Sequence, residues 1–62
     1  MGYEVITAAE NTGLDGVVFA TKKEATEAMQ TAKKIFADAK FDVVETDEPA
    51  NMTYAEWNEG GW

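Results

Sequence analysis

Cysteine, histidine, serine and arginine are all missing from this chain, and proline occurs once, at Pro49. Without cysteine no disulfide can form, and nothing marks a redox compartment. Without His, Cys or Ser the usual nucleophile and base pairs cannot be assembled, and without Arg there is no bidentate anion clamp. Carboxylates, lysines, two tyrosines and several threonines remain. A pair of carboxylates can do acid and base work, as in glycosidases, but 62 residues leave little room for a substrate cleft. The expectation is a protein that is not an enzyme and carries no cofactor.

Long apolar runs are missing as well. No stretch approaches the roughly 20 residues that span a bilayer. The first ten residues, MGYEVITAAE, carry a glutamate and lack a basic region followed by an apolar run, so they do not read as a signal peptide. Gly2 suggests a myristoylation site, but Ile6 stands where that motif needs Ser or Thr. A soluble, cytoplasmic protein is expected.

Base is scarce, and it is confined. The net charge is −7. All five lysines fall between Lys22 and Lys40, while residues 1–21 hold Glu4, Glu10 and Asp15, and residues 41–62 hold Asp42, Glu45, Asp47, Glu48, Glu56 and Glu59. Two wholly acidic flanks around one mildly basic segment argue against direct nucleic-acid binding and against anionic membranes. Glu45, Asp47 and Glu48 are oxygen donors of the kind hard cations take, yet they lack the spaced aspartates and distal glutamate of a calcium loop. They read as a solvated turn, with no metal.

What the chain does contain is one strongly periodic segment, residues 21–40. Ala25, Ala28, Met29, Ala32, Ile35, Phe36 and Ala39 recur at the spacing that lines one face of a helix. Thr21 followed by Glu24 has the form of a capping box, and Lys33, Lys34 and Lys40 favour the far end through the helix dipole. A helix over 22–39 is predicted.

Around it, residues 3–9 are rich in aromatic and β-branched types and read as a strand, with Tyr3 and Val5 turned inward. Residues 10–16 collect Asn, Asp and two glycines and read as a hairpin loop. Residues 17–20 form a second strand and residues 41–46 a third, with Phe41 and Val43 inward. Pro49 closes that strand. Thr53 and Glu56 repeat the capping-box spacing, with Met52 and Trp57 as a hydrophobic staple, which predicts a short helix over 54–59; a fourth strand there alternates poorly. The fold expected is a single α+β domain of order ββαβ over residues 1–62. Its three-stranded sheet runs 2-1-3, with the first strand central, the amphipathic helix across one face and a short C-terminal helical turn. The competing order sets the third strand beside the second.

The tail from Asp42 onward combines six acids with Tyr54, Trp57 and Trp62. Aromatic anchors ringed by carboxylates suit recognition of a basic partner. Asp42, Glu45, Asp47, Glu48, Tyr54, Glu56, Trp57, Glu59 and Trp62 are therefore the candidate partner-binding residues, although Tyr54 and Trp57 serve equally as a lid on a small core. The function expected is a non-catalytic acidic protein that inhibits or modulates a partner with a basic surface, such as a nucleic-acid-binding protein whose groove it occupies by charge mimicry. Short phage-encoded accessory proteins are of this type. The alternatives are an assembly module acting through homo- or hetero-oligomerisation, and a designed domain without natural function. A chain this short buries only about 60% of its unfolded surface, so homodimerisation would add needed stability.

Overall fold

The computed structural model describes residues 1–60. Its elements are β1 (Gly2–Thr7), α1 (Lys22–Ile35), β2 (Phe41–Thr46) and α2 (Tyr54–Glu59). Thr21 opens α1 from an extended backbone, and its hydroxyl accepts the Glu24 N–H at 3.1 Å. Three alanines, Ala25, Ala28 and Ala32, are completely buried along the inner face. Their short side chains let the helix backbone approach the sheet closely. The helix packs on both strands.

α1 ends four residues sooner than the predicted 39. Phe36 takes φ −108° and ψ 58°, outside helical geometry, while its N–H still donates to the Ala32 carbonyl at 2.8 Å. This departure lets the Phe36 ring pack against the core. Ile35, expected on the inner face, is 62% exposed. Helical spacing alone placed Ile35 inside; the tertiary demand for Phe36 decided otherwise.

The sheet differs more. It has two strands, β1 and β2, paired antiparallel with Val5 opposite Val43, Glu4 opposite Val44 and Ile6 opposite Asp42. The three-stranded 2-1-3 sheet is not formed. Residues 17–20 meet β1 at one isolated bridge, where Tyr3 and Phe19 exchange backbone bonds of 2.8 and 2.7 Å. Continuing that register would set Val17 opposite Val5 and Asp15 opposite Thr7. Instead the Val17 N–H closes a turn onto the Leu14 carbonyl at 3.1 Å, with Gly16 at φ 74°. Leu14 is only 2% exposed. Burying that side chain bends the backbone away from β1 and stops the ladder after one pair.

Residues 17–20 are held from their other side by Asn51. Its Oδ1 accepts the Val18 N–H, its own N–H donates to the Val18 carbonyl, and its Nδ2 donates to the Gly16 carbonyl, each at 2.9 Å. Both polar backbone groups of the buried Val18 thus find partners without a strand, as buried peptide groups require. Gly2 makes close approach possible here: a Cβ on it would lie 2.3 Å from Val18 Cγ1 and 3.0 Å from the Phe19 carbonyl.

Thr53 starts α2 with both halves of a capping box in place. At α1 the box is only half formed, because the Glu24 carboxylate leaves its own cap and accepts the Tyr54 N–H at 3.0 Å. A charge-assisted bond at an N-terminal donor is among the stronger hydrogen bonds available, and this one ties the two helices together. Trp57 completes the closure. It is 2% exposed, packs with Val5, Leu14, Val17, Phe19 and the alanine face, and donates from Nε1 to the Thr12 carbonyl at 3.1 Å. Among the described residues no helix is long and apolar enough to cross a membrane.

Candidate partner-binding surface

The nine residues expected to bind a partner divide into different settings. Asp42 and Glu45 are exposed on β2. Their odd separation in a strand of period two sends them to opposite faces. Asp42 lies across from Ile6 and Glu45 across from Tyr3. Asp47 and Glu48 occupy the exposed turn that follows, where the Glu48 N–H donates to the Thr46 hydroxyl at 3.3 Å.

The residues of α2 divide between surface and core. Glu59 is exposed. Glu56 is exposed too, but its Oε1 accepts from the Thr53 N–H at 3.1 Å and the Thr53 hydroxyl at 3.2 Å. Tyr54 and Trp57 are brought together, with ring centroids 5.9 Å apart and planes tilted by 43°. Both turn inward: Tyr54 is half-buried with its hydroxyl 2.8 Å from the Thr31 hydroxyl, and Trp57 belongs to the core. Trp57 presents no surface to a partner in this conformation. Trp62 lies outside the described residues.

A second acidic region appears that was counted in the charge balance but not assigned a role. The segment between β1 and residue 17 arches over the end of β1 and encloses an open cleft of about 500 Å³. Glu4, Glu10 and Asp15 line it, together with Ile6, which is 53% exposed. No lysine is among the lining residues. Asn11 at φ 64° and Gly13 at φ 73° shape the arch; Asn and Gly tolerate that left-handed conformation better than other residues. The Thr12 hydroxyl, accepting the Leu14 N–H at 3.2 Å, and the Trp57 bond to the Thr12 carbonyl pin its middle. The turn residues were visible in the sequence. The cleft was not, because it exists only where the hairpin ladder fails.

Among the described residues no group of three or more acids is placed to hold a metal ion. Comparison with protein-family models, with curated proteins and with solved structures finds no match.

Proposed function

We propose that this chain is a non-catalytic acidic binding protein that inhibits or modulates a partner with a basic surface, and that a nucleic-acid-binding protein is the partner class it suits. The observation that carries the reading is the segregation of charge: every lysine lies between 22 and 40, and the exposed carboxylates of β2, the turn after it and the cleft have no base within their own segments. Such a surface attracts a basic partner over a Debye length of about 8 Å at physiological salt.

The test is retention of nucleases or polymerases on the immobilised protein at low salt, followed by elution. Retention that disappears toward about 1 M salt, where the Debye length falls to about 3 Å, is the expected result. Absence of retention, or retention indifferent to salt, overturns the reading.

A further inference from the structure

We infer that the cleft beside β1 is a docking site for an extended basic segment of the partner, which adds to the free edge of β1 as a short strand. The inference rests on the acidic-binder reading above and gives it a location.

The backbone geometry carries the argument. Tyr3 exchanges both of its bonds with Phe19. In a strand, residues two apart direct their N–H and C=O groups to the same side, so Val5 and Thr7 turn theirs away from β2 and toward the cleft. Both residues line it. Among the described residues no backbone bond crosses from Val5 or Thr7 to the arch, since Val17 bonds Leu14 instead. The position that Asp15 would have taken in a continued ladder thus borders the cleft, whereas Val5 is only 6% exposed and its edge is reached from the Thr7 end. An edge with unpaired groups is a template for strand addition, in which main-chain bonds supply affinity and flanking side chains supply choice.

The length and chemistry of the occupant follow. From Val5 to Thr7 the edge spans about 7 Å, at roughly 3.3 Å per residue, so about three residues pair. Glu4, Glu10 and Asp15 around the cleft select lysine or arginine, and the half-exposed Ile6 offers apolar surface to their stems or to an alternate apolar residue. A second copy of this chain is disfavoured, because its own strands bring Glu4 or Asp42 and Glu45 to these carboxylates. The outer edge of β2 is the rival site. Its acids, Asp42 and Glu45, are divided between two faces.

The experiment uses the full chain, isotopically labelled, titrated with the capped pentapeptide Lys-Val-Lys-Val-Lys and followed by amide NMR shifts at low salt. Expected are shifts at Val5, Thr7 and the 10–15 arch. N-methylation of the peptide at alternate residues should weaken binding about tenfold or more in one phase of the alternation and little in the other, as loss of edge hydrogen bonds requires. The double variant Glu10→Gln, Asp15→Asn should weaken binding, whereas Asp47→Asn, Glu48→Gln should leave it unchanged. Shifts centred on Phe41, Val43 and Glu45, or binding indifferent to N-methylation, overturn the cleft while leaving the acidic-binder reading intact. Failure to bind this peptide, with salt-sensitive retention of basic proteins preserved, also overturns the cleft alone. Failure of both measurements overturns both readings.

Discussion

Two adjoining segments of this chain, residues 21–35 and residues 8–20, are nearly equal in length and are governed by different physics. The first is a helix whose start is set by Thr21 and whose inner face is set by three alanines at helical spacing. The signals that start it and give it its period, the Thr21 cap and the alanine spacing, lie within four residues of one another. The second has almost no regular structure. It is held by Trp57 on the Thr12 carbonyl, by Asn51 on Gly16 and Val18, and by Phe19 on Tyr3, partners 45, 33–35 and 16 positions away. Local spacing builds the helix, while distant side chains build the arch. The surface proposed for the partner lies between the arch and β1, where Val5 and Thr7 have backbone groups directed to the cleft.

Breaking the distant anchor should have the largest effect. Trp57→Ala removes the buried ring and leaves a cavity, at a cost of about 3–5 kcal/mol. A domain of this size has roughly 3–9 kcal/mol in all. Much or all of the cooperative thermal transition should therefore be lost, and a melt lowered by only a few degrees would show that Trp57 does not close the core.

Asn51→Ala separates the two regions more finely. It leaves the buried Val18 N–H without its acceptor, a loss of about 1–3 kcal/mol. Hydrogen exchange should speed at residues 17–19 ahead of the amides in the middle of α1. Equal acceleration throughout would mean that the arch and the helix open only together.

The smallest effect belongs to the local side of the comparison. Thr21→Ala removes one side-chain cap at an exposed helix start and should cost about 1 kcal/mol. First-turn amides of α1, Glu24 foremost, should exchange faster while Val18 and Phe19 keep their protection. Loss of protection at Phe19 would show that the cap also anchors the arch.

How far the fold was legible follows the same division. The two threonine caps were readable, because Thr21 and Thr53 act on backbone groups three residues away. Half of the first capping box was misread, since nothing local says that Glu24 will prefer the Tyr54 N–H, 30 positions on. The second expected strand, residues 17–20, was misread for a related reason. Val17, Val18 and Phe19 have strand chemistry, and only the burial of Leu14 and the clamp of Asn51 divert them. Of the candidate surface, the exposure of Asp42, Glu45, Asp47, Glu48 and Glu59 agrees with the ordinary preference of carboxylates for water. The inward turn of Trp57 depends on where an indole N–H finds a buried acceptor.

Composition and short-range spacing account for the absence of cysteine, histidine, serine and arginine chemistry, the confinement of base to one segment, and the place where each helix begins. These are properties of composition or of neighbours along the chain. Long-range packing set where α1 stops, limited the sheet to two strands among the described residues, and brought a carboxylate-lined cleft to the edge of β1 at Val5 and Thr7. Each of those outcomes is a competition between a local preference and the burial of a particular side chain, Phe36, Leu14 or Trp57. In a core this small each such side chain is a large share of the whole, so its burial overrides the local pattern.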